Sequence, residues 1–398
     1  MEGLTLPERD RRCFDQLPAT LERILIGRTP AYGTPLDEPF LAEGADRVVL
    51  VYLDAFGWSF FEQLADRDLL RQARSEGLVT QLTSQFPSTT TSHVATIHTG
   101  LPVSEHGLYE WHQLEPALER LITPLLFCFA GDNRRDTLAG VLDPADLYPA
   151  SGLYQRLAAA GVESSTVHPE EVNGSTASSV LLESVEGLSY SSVEQAYELA
   201  AKALAAAERA YAVVYLPHAD SLMHELGPED PATLATFDYL LSALAETTFP
   251  PGTLVLITSD HGMTPVEPAR TIYVNQLWPE LSGLLAQGAD RKPLAPAGSC
   301  RDLFLHVRPG ELRRAQEGLA ARLEGTAVVL TTDELIAAGA FAPPGDRLRA
   351  RLADLVVLPR HGEAVYWYEP GRFVQHLRGQ HGGLSPEEME IPLVAWRV

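Results

Sequence analysis

Cysteine and positive charge are scarce in this 398-residue sequence. The three cysteines, Cys13, Cys128 and Cys300, are widely scattered and form no CxxC pair, so neither a disulfide framework nor a thiolate zinc site is indicated. The 30 lysines and arginines are outnumbered by 53 acidic residues, which gives a formal net charge of −23. Because a field of this sign repels nucleic-acid backbones and anionic membranes, we expect no nucleic-acid duplex and no membrane among the partners.

Long apolar runs are also missing. No run reaches the roughly 18 residues that a membrane helix requires, and the N-terminal stretch MEGLTLPERDRRCFDQL lacks the apolar segment of a secretory signal. These two absences lead us to expect a cytoplasmic protein. Hydrophobic residues nevertheless make up 45% of the chain, which is ordinary for a globular protein and enough to bury a substantial core.

Strand and helix patterns alternate along most of the chain. The continuous apolar run Val48–Leu53 is typical of a strand buried on both faces, and the runs in YAVVYLP and GTLVLITS each follow a helical pattern. Such alternation predicts an α/β fold with a mostly parallel central sheet and helices on both faces. The predicted parts are an N-terminal lead-in with one short helix (1–45), a core (46–264 and 379–398) and a small α/β cap insertion (265–378).

Acidic and histidine residues recur just past the ends of the predicted parallel strands. Asp54 follows VVLVYL, Asp220 follows YAVVYLPHA, and Asp260 and His261 follow GTLVLITS. The C-terminal edge of an open parallel sheet is where ligands bind. This recurrence separates the four residues from ordinary surface acids and predicts a site at that edge.

Two further histidines extend this set. His224 lies four residues after Asp220, so both would face the same way on a helix, although a capping Asp beside a surface His would give the same spacing. His381 lies in the glycine-flanked loop GQHGG, where it could equally be a plain loop residue. Imidazole and carboxylate without thiolate suit zinc first, with manganese or iron as alternatives. Six such ligands are enough for two divalent ions about 4 Å apart.

A dense run of hydroxyl groups, FPSTTTSHVATIHTG, precedes a predicted helix start. A helix N-terminus favours an anion, because its backbone N–H groups and its dipole both point there. The run therefore predicts either a nucleophile near bound metal or a set of helix caps, for which Ser88 and Thr89 are the candidates.

The order Asp…Thr…Asp-x-x-x-His…Asp-His…His resembles the alkaline phosphatase superfamily, and in particular its type I phosphodiesterase and nucleotide pyrophosphatase branch. The resemblance extends from VVLVYLDAFGW to GQHGG. It implies an alkaline-phosphatase-like fold, with one metal held by Asp220, His224 and His381. It implies a second metal held by Asp54, Asp260, His261 and the nucleophile. Counting from Phe86–Pro87 and from Thr99–Gly100 places the nucleophile at Thr90, with Thr89 and Thr91 as rivals in register.

The sequence departs from the family where an asparagine of nucleotide pyrophosphatases holds a phosphate oxygen. In SEHGLYEWHQ that position is Trp111, followed by His112, and we take both as candidate substrate contacts. Trp111 could stack on a base, line an apolar pocket or belong to the core. Arg134 and Arg135 are either phosphate clamps or a solvated pair of charges.

The combined interpretation is a two-metal phosphohydrolase that acts on a small anionic substrate, a phosphodiester or a nucleotide pyrophosphate, through a phosphothreonine. Phosphomonoesters and phosphonates are the alternative substrates. A metal-containing binding protein without activity, and a hydrolase in which metal-bound hydroxide attacks directly, are the rival functions. We expect the insertion to cover the metals and to set the choice of substrate.

Overall fold

The computed structural model describes residues 3–9, 11–28, 30–132, 134–149 and 152–398. Its centre is a seven-stranded sheet. The strands of this sheet are β1 (Arg47–Leu53), β2 (Leu78–Thr83), β3 (Glu163–Pro169), β4 (Glu186–Tyr190), β5 (Ala210–Leu216), β6 (Leu254–Thr258) and β7 (Glu390–Arg397). Their order is β2-β7-β6-β1-β5-β3-β4.

The direction of the strands confirms the predicted fold class. β1 pairs in parallel with both β5 and β6, and β3 pairs in parallel with β4 and β5. The exception is β7, which lies between β2 and β6 and runs antiparallel to both. The sheet is therefore mixed and mostly parallel, and it belongs to an α/β fold.

Helices cover both faces of the sheet. Those of at least six residues are α1 (Leu17–Ile26), α2 (Trp58–Leu64), α3 (Asp68–Glu76), α4 (Thr90–Thr99), α5 (Gly152–Ala159), α6 (Thr176–Leu181), α7 (Val193–Ala206), α8 (His218–Leu226), α9 (Pro231–Ala245), α10 (Leu312–Arg322), α11 (Thr332–Ala337) and α12 (Asp346–Arg351). Shorter helical turns are Phe14–Gln16, Pro39–Ala42, Val103–His106, Pro124–Leu126, Pro144–Leu147, Glu170–Asn173, Pro268–Arg270, Val274–Leu277, Pro279–Gly283 and Pro386–Met389. Within the described residues, none of these helices combines the length and the apolar character needed to cross a bilayer.

Alternate residues of β1 enter two different cores. Val49 and Val51 pack with α7 and α9 on one face, whereas Val48 and Leu50 pack with α1 and α5 on the other. This period of two is what a strand covered on both sides requires. It explains why the sequence of β1 is apolar without interruption.

The N-terminal lead-in packs on the sheet. Its helix, predicted near Leu21–Ile26, begins earlier, at Leu17, with Pro18 in the first turn where a missing N–H costs nothing. Leu17 and Leu21 are buried in the same core as β1 and α5.

A smaller antiparallel sheet forms within the predicted insertion. Its four strands, in order, are Ala297–Gly298, Leu303–Leu305, Leu355–Pro359 and Ala327–Thr331. Three strands of the core, Gln113–Glu115, Arg120–Thr123 and Cys128–Phe129, form another sheet, and Gly298 donates to the carbonyl of His112 in the core at 2.7 Å. The remaining strands pair two by two, Thr264–Pro265 with Gly379–Gln380 and Ile272–Tyr273 with Val365–Tyr366. The first of these pairs joins the two ends of the insertion, while the exact boundaries at 265 and 378 stay a prediction.

Gly77 offers a test of the edge of the central sheet. A Cβ atom at this position would lie 2.0 Å from the backbone oxygen of Ala395 in β7. We expect Gly77→Ala to lower the free energy of unfolding by about 1–3 kcal/mol, because the backbone of β7 must move. Urea denaturation measures this change. Gly283→Ala is the matched control, since its Cβ would meet no heavy atom within 4 Å. Equal midpoints for the two variants would contradict the packing.

Candidate active site

The six predicted ligands lie together in two groups of three. Within each group the ligand atoms are all within 4.8 Å of one another. The first group is Asp220, His224 and His381, and the second is Asp54, Asp260 and His261. We call them the first and the second ligand group.

The register of the central sheet brings these residues to one edge. Tyr52 of β1 pairs with Thr258 of β6, so Asp54 and Asp260, each two residues further along, leave the sheet side by side. Leu53 pairs with Leu216 of β5. The chain after β5 therefore enters α8 at the same edge.

The carboxylates and imidazoles approach each other closely. The Nε2 atom of His261 lies 3.3 Å from Oδ2 of Asp260 and 3.6 Å from Oδ1 of Asp54. In the first group, Oδ1 of Asp220 lies 3.5 Å from Nε2 of His224 and 3.7 Å from Nε2 of His381. Asp220 and His224, four residues apart on α8, therefore lie on one side of the helix, as predicted.

Main-chain carbonyls fix the orientation of all three imidazoles. Each Nδ1 atom donates to a backbone oxygen: His224 to Gly379 at 2.9 Å, His261 to Gly262 at 2.9 Å and His381 to Ser88 at 3.0 Å. This arrangement leaves every Nε2 atom as an acceptor that faces the carboxylates. Hydrogen bonds of this kind orient histidines that bind metals.

Each aspartate of the site presents an open oxygen. Oδ1 of Asp54, Oδ1 of Asp220 and Oδ2 of Asp260 are buried and have no hydrogen-bond partner among the described residues. The second oxygen of Asp54 accepts from the hydroxyl of Tyr215, and that of Asp260 accepts from the N–H of Ala55 at 3.2 Å. Because a buried carboxylate oxygen without a partner is costly, these oxygens fit a bound cation.

The electrostatics of the site point the same way. Burial raises the pKa of Asp54, and the nearby Asp260 and Asp220 raise it further. Burial also raises the pKa of Asp220 to about 6. Burial lowers the pKa of His261 and of His381, so both imidazoles are neutral, as metal ligands are. Three carboxylates and three imidazoles are a donor set that suits divalent ions such as zinc.

Thr90 lies beside both ligand groups. It is the first residue of α4, and its Oγ1 atom lies 3.2 Å from Nε2 of His261. The rings of His261 and His381 stack with centroids 3.6 Å apart, which joins the two groups. From Leu82 to His93, Thr90 is the one residue that is not buried. Thr89 and Thr91, the rivals in register, are both buried.

The expected capping roles of Ser88 and Thr89 are wrong. Thr89 occupies the N-cap position of α4, but its side chain makes no capping hydrogen bond. The Oγ atom of Ser88 donates to the carbonyl of Gly383 at 2.8 Å and accepts from the N–H of Gly382 at 3.2 Å. The Ser88 hydroxyl therefore binds the backbone of the loop that contains His381 and does not cap α4.

A buried ion pair supports the same loop from the insertion. Arg301 donates to both oxygens of Glu388, at 3.0 and 2.8 Å, and neither side chain is exposed. Glu388 also accepts from the N–H of Gly383 at 3.0 Å. The remaining guanidinium nitrogen donates to the carbonyls of Arg360 and Glu363. Every group in this network is satisfied, which is the condition for burying an ion pair without a large cost.

A cavity of about 380 Å³, which we call cavity A, opens beside Thr90 and the first ligand group. The predicted substrate contacts Trp111 and His112 both line it. Trp111 is 40% exposed, so its interpretation as a core residue is wrong. His112 is buried, with Nδ1 2.9 Å from Oγ1 of Thr123. The insertion supplies further walls: Gly298, Ser299, Cys300, Tyr366 and 374–377.

Glu110 was not recognised in the sequence, although it lines cavity A. It is fully buried, and burial raises its pKa to about 8. The pKa of its neighbour Asp302 is raised by burial and by Glu110. Among the residues described, no lysine or arginine lines cavity A. Neither arginine considered as a clamp lines cavity A: Arg134 pairs with Asp132 in solvent, and Arg135 is exposed and lines a smaller cavity that also contacts Thr90.

Comparison with known proteins assigns the chain to a family. A family model described as type I phosphodiesterase / nucleotide pyrophosphatase matches residues 48–384. The chain belongs to this family. It is thereby a hydrolase of phosphoester bonds, and the family is metal-dependent. No curated protein sequence gives a match.

Solved structures share the fold at low sequence identity. Murine ectonucleotide pyrophosphatase / phosphodiesterase 5, in an inactive form in complex with AMP, is 17% identical, with a TM-score of 0.65 over 88% of this chain and 87% of that chain. Human ectonucleotide pyrophosphatase / phosphodiesterase 5 is 18% identical, with a TM-score of 0.64 over 88% of this chain and 87% of that chain. Phosphonoacetate hydrolase from Sinorhizobium meliloti 1021, in complex with phosphonoacetate, is 19% identical, with a TM-score of 0.62 over 88% and 90%.

The three adjacent carboxylates predict that the order of stability of the natural protein and an Asp260 variant reverses when metal binds. In the presence of a chelator, Asp260→Asn should melt at the same temperature as the natural protein or higher, because it removes one of three adjacent negative charges. With zinc in hundredfold excess over its Kd, the natural protein should gain about 2.7 kcal/mol and the variant less, so the order reverses. Thermal denaturation with and without zinc measures both.

Glu225→Gln is the control for this experiment. It removes the same charge from an exposed position next to His224. We expect it to melt like the natural protein under both conditions. A zinc-dependent shift that Asp260→Asn leaves unchanged would contradict the assignment of Asp260 as a ligand.

Proposed function

We propose that the protein hydrolyses phosphodiesters through a phosphothreonine formed on Thr90, with two divalent ions as cofactors. The observation that carries this proposal is the position of the Thr90 hydroxyl, 3.2 Å from His261 and next to both ligand groups at the first residue of α4. The first ligand group would hold one ion. The second group, with Thr90, would hold the other, and zinc is the first choice for both.

Bound ions would lower the pKa of the Thr90 hydroxyl and offset negative charge on the phosphoryl oxygens. The Oγ1 atom of Thr90 forms a bond to phosphorus while the bond from phosphorus to the leaving oxygen breaks. The hydroxyl proton passes to water. A water molecule then adds to phosphorus, the bond to Thr90 breaks, and a proton from that water restores the hydroxyl. The N-terminal N–H groups of α4 face the anion throughout.

The walls of cavity A favour a substrate with one negative charge. Glu110 contributes a buried carboxyl group there, and no lysine or arginine among the described lining residues offsets a second charge. A phosphodiester carries one charge, whereas a phosphomonoester or a phosphonate with a carboxylate carries more. This charge argument favours diesters. Nucleotide pyrophosphates, which have more than one ionised phosphate, come after them together with phosphomonoesters and phosphonates. Trp111 and His112 are the proposed substrate contacts.

Substitution of the three adjacent threonines tests the nucleophile. Thr90→Ala should bind metal normally and lose activity by several orders of magnitude, because the attacking oxygen is gone while all six other ligands remain. Thr90→Ser should keep part of the activity, since the hydroxyl is retained. Hydrolysis of bis-p-nitrophenyl phosphate and metal content are the two measurements.

Thr89→Ala and Thr91→Ala are the controls for this series, and we expect each to cost about 1 kcal/mol of stability and little activity. If one of them is inactive while Thr90→Ala is active, the register is wrong by one residue. If all three remain active, a hydroxide attacks directly. If the natural protein binds metal but turns over none of the substrates, the rival function of a metal-containing binding protein is favoured.

A comparison of substrates tests the charge argument. With zinc and with manganese, bis-p-nitrophenyl phosphate should be hydrolysed with a kcat/KM about tenfold or more above that of p-nitrophenyl phosphate. Above about pH 8, where Glu110 is ionised, Glu110→Gln should narrow this ratio, because it removes the negative charge that opposes a second charge on the substrate. Phosphonoacetate should be a poor substrate for both proteins. A preference for p-nitrophenyl phosphate in the natural protein would contradict the assignment to diesters.

A further inference from the structure

A second cavity, which we call cavity B, opens on the other side of Thr90. Its volume is about 150 Å³, and its walls are mainly apolar, including Val94 of α4 and Leu126, Leu181 and Leu182. Trp111 and Thr90 line both cavities, whereas none of the six metal ligands lines cavity B. A group attached to the phosphorus atom at Thr90 can therefore enter cavity B without displacing a metal ligand.

Arg135, Ser175 and Ser178 also line cavity B, but His168 is the buried polar residue of its wall that lacks a hydrogen-bond partner. It lies one residue before the end of β3, at the same edge of the sheet as Asp54 and Asp260. Its side chain is 3% exposed and lines the cavity, yet neither ring nitrogen has a hydrogen-bond partner among the described residues. Burial lowers the pKa of His168 to about 4, so the ring is neutral and offers one donor and one acceptor. A buried polar group without a partner is costly, which points to a ligand that supplies one.

We propose that cavity B binds the substituent that stays on phosphorus during the reaction, and that this substituent is a benzene-sized apolar group with one hydrogen-bonding atom for His168. This proposal rests on the proposed function and names the substrate class of the same site. Thr90 lines cavity A and cavity B, and the first ligand group lines cavity A alone. The leaving group consequently belongs in cavity A and the retained group in cavity B.

The volume limits the size of the retained group. An apolar cavity of about 150 Å³ takes up benzene. A nucleoside joins a base to a ribose and exceeds that size. Cavity B therefore selects small aryl or branched alkyl diesters over nucleotide diesters.

Three diesters with the same leaving group test this selection: methyl, phenyl and thymidine 5′ p-nitrophenyl phosphate. We expect the kcat/KM of the phenyl diester to exceed that of the methyl diester about tenfold or more, and that of the thymidine diester to be lower than that of the phenyl diester. A ratio of phenyl to methyl near one in the natural protein would overturn the proposal.

Two variants change the volume of cavity B in opposite directions, and we expect them to shift the substrate preference in opposite directions. Ala177→Phe places a ring in the cavity from α6 and should bring the phenyl-to-methyl ratio close to one. Leu181→Ala enlarges the cavity and should shift the preference towards a naphthyl diester. Ser179→Phe adds the same ring at an exposed position of α6 and should leave the ratios unchanged. Ratios that respond to neither cavity variant would overturn the assignment.

His168→Phe isolates the polar contact. Among the three hydroxyphenyl isomers of the diester, the best should exceed the phenyl diester about fivefold in kcat/KM. His168→Phe should remove this gain and keep the phenyl-to-methyl ratio. If no isomer exceeds phenyl, His168 has no ligand role.

A binding measurement separates the cavity from the chemistry. In the zinc-loaded natural protein, phenyl phosphate should raise the Tm more than methyl phosphate does, and Ala177→Phe should abolish the difference. This result would support the proposed role of cavity B even if no diester were hydrolysed. The absence of diester hydrolysis would refute the proposed function instead. Equal shifts with the two phosphates would refute cavity B, whatever the activity.

Discussion

The crowding of three aspartate carboxylates is the constraint around which the candidate site is arranged. Asp54, Asp220 and Asp260 meet at one edge of the central sheet, each with an oxygen that nothing in the described chain satisfies. Folding brings them together because β1, β5 and β6 are neighbours in register, not because the side chains attract one another. Bound cations would offset the unfavourable energy of that meeting, which would couple the stability of the fold to the charge of the ions. His261 and His381, whose pKa values are lowered by burial, add no further charge.

Much of the site could be predicted because its residues are tied to strand ends. Asp54 and Asp260 follow apolar runs whose direction and depth are evident from composition alone, and a parallel sheet brings such ends together. The nucleophile depended on counting from two flanking motifs, and Thr90 is the residue at the start of α4 that faces the ligand groups. The α/β fold followed from the alternation of strands and helices. The antiparallel direction of β7 did not follow, since a strand pattern contains no direction.

Contacts between distant segments account for what the sequence did not reveal. The hydroxyl of Ser88 holds a loop almost 300 residues away, so its pattern next to α4 suggested a cap instead. Glu110 appeared to be an ordinary acid, because its burial depends on the insertion. His168 was the avoidable omission. It ends a parallel strand as the aspartates do, and the rule that selected them applies equally to the histidine in VESSTVHP.

The pair formed by Arg301 and Glu388 affects how this architecture can be varied. Arg301 comes from the insertion and Glu388 from the core, and His381 lies between them in the sequence. An insertion transplanted from a relative without an equivalent arginine would leave Glu388 charged and alone beside the loop that presents His381. We expect chimeras that exchange the insertion alone to have a disturbed candidate metal site. Chimeras that exchange residues 265–388 as one block would keep the ion pair. Recombination between relatives should therefore favour a breakpoint after residue 388 over one after residue 378.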